Sequence, residues 1–246
     1  MRYIAYFDYL GFKSFIENNT LEFQKQIMSN NFRDMGNALG QEKYHEVKGG
    51  VVSDLSAIRI SCINFSDTVV FYSNDDSWES LQEILKVAYD FNWRANIFCF
   101  PVRGCLVFGE LEKVEFKTTN SFGGSFNINS VYGRGLVTAH GIAEDQNWAG
   151  SVLDQSFVNE IIRHGEDVNA VLDPFAVRYT VPYKTLTGRN DEYVLRLTKP
   201  EIPRQYFDNV SKTLAANFSQ YSKPIVPSVE EKIKNTLEFL ESGVKD

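Results

Sequence analysis

Residues 57–65, Ala-Ile-Arg-Ile-Ser-Cys-Ile-Asn-Phe, and residues 68–73, Thr-Val-Val-Phe-Tyr-Ser, are two strand-like runs separated only by Ser66-Asp67. A two-residue polar break between runs rich in β-branched and aromatic side chains predicts a hairpin. Working outward, residues 2–8, Arg-Tyr-Ile-Ala-Tyr-Phe-Asp, form a buried-strand pattern that ends at the turn Leu10-Gly11. Residues 101–110 repeat that pattern on the far side of a long helix. The helix runs from about Ser77 to Phe98, with Asp75 or Asp76 as its N-cap and Trp78, Leu81, Ile84, Leu85, Ala88 and Tyr89 at helical spacing.

The remaining pattern is less sharp. A helix is expected from Phe12 to about Asn30, then a second helical piece and a loop over 31–56, with Gly49-Gly50 as the break. Residues 117–130 are mostly Ser, Thr, Asn, Phe and Gly and read as a long functional loop leading into Tyr132-Gly133 and an amphipathic helix to about Gln146. Beyond it come a strand at 151–153, a helix at 155–163, strands at 176–183 and 193–197, and two helices in 203–242 split by Pro224 and Pro227. The order strand, helix, hairpin, helix, strand, loop, helix, strand predicts an α/β (α+β) chain with a ferredoxin-like core, an antiparallel-rich central sheet flanked by helices, and C-terminal helices. Residues 1–200 are expected to form one domain and 201–246 a C-terminal helical extension.

Length and charge narrow the classes. The 246 residues carry 32 acidic and 25 basic side chains, a formal charge of −7, so no global field draws the chain to nucleic acid or anionic lipid. No apolar stretch approaches the roughly 18–20 residues that cross a bilayer, and the N-terminus lacks the pattern of a signal peptide. Cys62, Cys99 and Cys105 have no close-spaced partner and lie in apolar runs, as reduced buried thiols do. A cytoplasmic protein without nucleic-acid or membrane partners is expected.

Asp8 ends an apolar strand, and Asp67 sits at the tip of an apolar hairpin. Composition alone favours the plainer reading, in which Asp8 caps the following helix and Asp67 is a turn residue. Two carboxylates gathered at one sheet edge would instead repel unless a divalent cation lay between them, and oxygen ligands favour magnesium or manganese. Arg103, inside an apolar strand, needs a carboxylate or phosphate partner, and a structural acid is the favoured one.

The wording around these residues resembles a known family. Phe7-Asp8-Tyr9-Leu10-Gly11-Phe12 resembles the first metal-binding motif of class III nucleotidyl cyclases, and Asn64-Phe65-Ser66-Asp67-Thr68-Val69-Val70 is similar to their second. Val102 to Glu110 resembles the family strand that ends in glycine, and Tyr132-Gly133 with Val137 and Ala139 resembles the dimer-interface helix. The likeness runs in order from residue 3 to about 197. Within the family the wording is closest to the pyrimidine cyclases of bacterial Pycsar antiphage systems.

The resemblance implies a homodimeric enzyme, with active sites at the interface, that turns UTP or CTP into the 3′,5′-cyclic nucleotide and pyrophosphate, UTP being preferred on family frequency. The product would activate a separate effector protein. Adenylate or guanylate cyclase, and a degenerate domain that binds nucleotide without turnover, stay open as alternatives. Asp8 and Asp67 would be catalytic, holding two ions of Mn2+ or Mg2+ with the backbone carbonyl of Tyr9. Ile63 and Ser130 fall where adenylate cyclases place a lysine and an aspartate that read adenine, so purine-type reading is lost. Phe12 is counted among the nucleotide contacts as well as being a core residue, Arg134 would contact phosphate at a helix N-terminus, and Lys184 would bind the triphosphate. The asparagine and arginine of the interface helix fall on Val137 and Gly141 and are missing, while His140 reads as a surface or interface histidine.

Overall fold

The computed structural model describes residues 1–185, 191–199 and 206–242. Its centre is β1 (Arg2–Tyr9), buried on both faces because five of its residues in a row are apolar and fully packed. The hairpin predicted from sequence forms as β4 (Ile60–Phe65) and β5 (Thr68–Ser73), and β5 lies antiparallel to β1 with Asp8 opposite Thr68. On the other side β6 (Val102–Gly109) pairs with β1, setting Asp8 opposite Arg103. Next to β6 runs β9 (Ser151–Leu153) in parallel, followed by β11 (Asp191–Leu195) and β10 (Ala176–Thr180), giving the order β10-β11-β9-β6-β1-β5-β4.

Alternate residues of each strand feed two cores. Tyr3, Ala5, Phe7 and Tyr9 face α2 (Leu21–Gly40), α3 (Trp78–Phe98) and α5 (Gln155–Arg163). Ile4 and Tyr6 face α4 (Arg134–Asp145), whose Ala139 and Ala143 are fully buried. Small residues let α4 lie close to the sheet: a Cβ on Gly109 would stand 2.6 Å from the Cα of Gly135. The last two helices, α7 (Phe207–Asn217) and α8 (Pro227–Ser242), add Leu214, Phe218, Phe239 and Leu240 to the same core. A short α6 (Val168–Leu172) links α5 to β10.

Four expectations are corrected. The first helix is two, α1 (Phe12–Asn18) and α2, because Thr20 adopts an extended conformation and caps α2 by accepting from the Phe23 amide. Residues 44–53 are not loop but a hairpin, β2 (Tyr44–Val47) and β3 (Gly50–Ser53), largely exposed and so without an apolar alternation to reveal it. The expected loop at 117–130 belongs to a hairpin, β7 (Glu112–Thr119) and β8 (Ser125–Tyr132), exposed along the whole of β7. Ser77, not Asp75 or Asp76, caps α3, while the Asp75 carboxylate accepts from the hydroxyls of Ser77 and Ser80. Within the expected extension, residues 201–205 and 243–246 lie outside the described residues.

All three cysteines are free thiols. Among the described residues no helix is long and apolar enough to cross a membrane.

Candidate active site

Asp8 and Asp67 meet because β1 and β5 are neighbours and the two-residue turn before β5 folds back over the end of β1. The Tyr9 amide donates to the Asp67 carbonyl at 2.9 Å, and the Leu10 amide donates to the Pro101 carbonyl at 2.8 Å. Ser66 takes φ +57°, a left-handed conformation suited to so short a hairpin. The Tyr9 side chain points away from the site into the aromatic core, stacked on Phe12 with centroids 6.4 Å apart.

The two carboxylates differ in surroundings. Asp8 accepts a hydrogen bond from Arg103 Nε at 2.9 Å and makes an ion-pair contact with Nη2 at 2.8 Å, both through Oδ2. Burial pushes the Asp8 carboxyl above its ordinary value and outweighs the Arg103 guanidinium, with the nearby Asp67 charge adding to the rise. Asp67 is half-buried, and among the described residues its carboxylate has no hydrogen-bond or ion-pair partner. Asp8 Oδ1 is likewise free of hydrogen bonds among the described residues.

These oxygens suit a hard divalent cation. Among the described residues no cluster of three or more His, Cys, Asp or Glu forms around them, so water or substrate phosphates would have to complete a coordination shell. The donor set therefore fits Mg2+ or Mn2+ held with a nucleotide and does not resemble a closed structural metal site.

Beside the carboxylates the sheet face, β8 and α4 enclose an open cavity of about 720 Å³. Ile63 and Ser130 both line it, from β4 and β8, together with Asn64, Thr68 and Asn129. His140 lines it from α4, its Nδ1 lying 3.0 Å from the Tyr6 hydroxyl. Burial raises the Tyr6 phenol above its ordinary value, and the charges of Asp8 and Asp67 raise it further against a lowering hydrogen bond with Thr68. Val137 lines the same cavity and is 72% exposed, and a Cβ added to Gly141 would meet nothing within 4 Å.

A cationic group sits behind Asp8. Arg103 reaches Glu144 as well, at 2.8 Å to its carbonyl and 3.0 Å to its carboxylate. Lys184 donates to the Glu144 carbonyl and lies 3.6 Å from the same carboxylate. Burial would raise Glu144, but Arg103, Lys184 and His140 prevail and lower it. Residues 186–190, shortly after Lys184, lie outside the described residues.

Two of the expected nucleotide contacts do not lie at this cavity within one chain. Arg134 stands at the start of α4, where the Gly135 amide bonds the Glu110 carbonyl beyond the end of β6. Gly109 is paired with Arg2, and Asp8 is six residues further along β1, or roughly 20 Å away. Arg134 is 89% exposed and pairs with Glu110 at 3.5 Å, so in its own subunit it is far from both carboxylates. Phe12 is partly buried and packs in the opposite core against Tyr9, Phe15 and Phe100, and it does not line the cavity. Conversely, Tyr6, Thr68 and Glu144 are at the site and were not read from sequence. Only Glu144 had a signal, since it follows His140 by one helical turn and Arg103 required an acid.

No family model and no curated protein matches the chain. Solved structures do match it in fold. The guanylate cyclase domain of RhGC from Catenaria anguillulae in complex with GTP aligns with a TM-score of 0.50 at 11% identity, covering 80% of this chain and 96% of that one. The catalytic core of a rhodopsin-guanylyl cyclase with converted specificity in complex with ATPαS gives 0.50 at 10% identity, covering 79% and 94%. A double mutant of the guanylyl cyclase domain of the RhoGC fusion protein from the aquatic fungus Blastocladiella emersonii gives 0.50 at 9% identity, covering 79% and 93%. The chain has the core fold of class III nucleotidyl cyclases.

Proposed function

We propose that the protein is a nucleotidyl cyclase that converts a nucleoside triphosphate, UTP or CTP before ATP or GTP, to its 3′,5′-cyclic monophosphate and pyrophosphate. The observation that carries this is the meeting of Asp8 and Asp67 at one end of the sheet, beside a cavity large enough for a nucleotide.

Asp8 Oδ1 and the Asp67 carboxylate would hold the divalent ions, with the Tyr9 carbonyl as a further oxygen. Bound there, such ions supply a lowered pKa for the attacking ribose hydroxyl and charge neutralisation for the departing pyrophosphate. Arg103 holds Asp8 in place through Oδ2 and makes no hydrogen bond to Oδ1. Lys184, which pairs with Glu144, would be the cation that meets a triphosphate tail. Ile63 and Ser130 would face the base, and neither offers the charged donor and acceptor pair that adenine needs, which supports a pyrimidine.

A homodimer completes this site. Arg134 is too far from the carboxylates of its own chain to serve them, and the exposed Val137 marks the α4 face on which a second copy would pack. The partner's α4 would then supply the phosphate contacts. By the likeness to Pycsar pyrimidine cyclases the cyclic nucleotide would be a cytoplasmic second messenger in antiphage defence, read by a separate effector.

The test is product chromatography after incubation with UTP, CTP, ATP and GTP in manganese, with Asp67→Ala as control. A cyclic pyrimidine nucleotide made by the wild type and lost in the variant supports the reading. Cyclic AMP or cyclic GMP would move the assignment to the purine cyclases, in keeping with the GTP and ATPαS bound by the structural neighbours. Metal-dependent nucleotide binding without product would identify a degenerate domain.

A further inference from the structure

The loop that carries Asp8 into α1 is covered by a segment from the other end of the chain. Residues 218–226 link α7 to α8, and Lys223 within them is only 5% exposed. A buried ammonium is unfavourable unless its donors are met, and here Nζ donates to the Asn217 carbonyl at 2.7 Å and lies 4.4 Å from the centre of the Phe100 ring. The aliphatic stem meanwhile lies against Gly11. A Cβ at Gly11 would come within 2.9 Å of Lys223 Cδ, and Gly11 itself has φ +80°, so both the space and the backbone conformation demand glycine there.

The linker is latched on both sides of this contact. Asn19 donates to the Tyr221 carbonyl at 2.7 Å, and Asn18 donates to the Ser222 carbonyl at 2.9 Å. Tyr221 and Ser222 both sit at φ +61°, a conformation that non-glycine residues hold only when their surroundings impose it. Asn217 anchors the base of the linker by donating to the Asn96 and Ile97 carbonyls at 2.8 and 2.9 Å. The contacts thus join a C-terminal segment, outside the stretch that resembles the cyclases, to the turn three residues from a candidate metal ligand.

We propose that Lys223 is a positioning residue: its stem, pressed on Gly11, holds the turn of residues 9–11 against Asp67 and Pro101 and so fixes where Asp8 and the Tyr9 carbonyl stand. The consequence for metal binding rests on the reading of Asp8 as a ligand given above, whereas the consequence for the turn does not. A C-terminal segment that grips the catalytic turn also offers a route by which forces on α7 and α8 reach the site.

Hydrogen exchange of the full-length protein tests the first consequence, and manganese binding followed by electron paramagnetic resonance, without nucleotide, tests the second. In Lys223→Ala the amides of Tyr9 and Leu10 are expected to exchange at least tenfold faster while those of Val152 and Val194 are unchanged. The manganese dissociation constant is expected to rise about fivefold or more. Lys223→Met, which keeps a stem without the charge, is expected to restore most of both. Should the alanine variant not fold, Asn18→Ala at an exposed position releases the same latch and is expected to speed exchange at residues 9–11 about threefold. Exchange at those amides that stays at the wild-type rate, or that rises evenly over all strands, overturns the proposal. A loosened turn in a protein whose wild type binds no manganese leaves the positioning role standing and removes the metal reading. Wild-type metal binding with an undisturbed turn does the reverse.

Discussion

Arg103 holds Asp8 by one hydrogen bond from Nε and an ion-pair contact from Nη2, and both fall on the single oxygen Oδ2. The guanidinium is 9% exposed and also binds Glu144, so it serves two acids at once while leaving the second oxygen of Asp8 open. Removing it strands one acid that is already poorly hydrated. Arg103→Met is expected to destabilise the protein by about 3–5 kcal/mol, as breaking one side of a buried pair does. Urea denaturation compared with wild type checks this, and Arg103→Lys should recover only part of the loss because an ammonium cannot repeat the forked geometry.

Asp8→Asn separates stability from function. Burial raises the folded-state pKa of Asp8 above its ordinary value, so the ionised form is disfavoured by the fold. The favourable contribution of the group is complete below the unfolded pKa and is lost as pH rises through the folded one. At neutral pH the neutral amide should therefore leave the melting temperature within a few degrees of wild type. Changes one shell away from a metal cost about 10–100-fold, so loss of the proposed ligand itself should lower the proposed cyclase activity by about a hundredfold or more.

Lys223 carries a pH signature of its own. Burial lowers its folded pKa from 10.5 to about 8. Between these values the unfolded chain holds a proton that the folded chain has released, so this group makes stability rise with pH across that window. The stability of wild type relative to Lys223→Met is expected to increase by up to about 3 kcal/mol from pH 8 to pH 10.5. Denaturation midpoints at the two pH values, taken for both proteins, give the difference directly.

Two glycines of α4 and its neighbour should respond in opposite ways to alanine. At Gly109 the new methyl would meet the Gly135 backbone at 2.6 Å, which cannot move aside as a flexible side chain would. A loss of about 1–3 kcal/mol is expected. Gly141 has open space around its Cβ position and lies inside the helix, so alanine there should add about 0.5–1 kcal/mol.

The thiols should be inert in the native state. Burial pushes Cys62 and Cys99 up to about 12, leaving about one thiolate in ten thousand at pH 8. A disulfide reagent at that pH is expected to label neither at an appreciable rate until denaturant is added.

The parts legible in the sequence are those whose side chains are sorted by burial. The strands around Phe7 and Val70 and the helix from Trp78 declare themselves because one face or both must be apolar. The hairpins at 44–53 and 112–132 carry no such signal because most of their residues are exposed, so solvent imposes no alternation on them. Thr20 and Ser77 show the same limit locally, since several nearby side chains could have capped each helix and only backbone conformation chose among them.

The same division holds for the site. Sequence alone determined that Asp8 and Asp67 are charges at the ends of apolar strands and that Arg103 needs an anionic partner, because the expense of burying an unpaired charge does not depend on the fold. Only the tertiary structure decided that the acid is Asp8 itself, that Ile63 and Ser130 share a cavity, that Arg134 stands at the far end of its own sheet, and that Lys223 lies on Gly11. Each of these joins residues distant along the chain, and strand order and register, which set such distances, are properties of the packed sheet and not of any one segment.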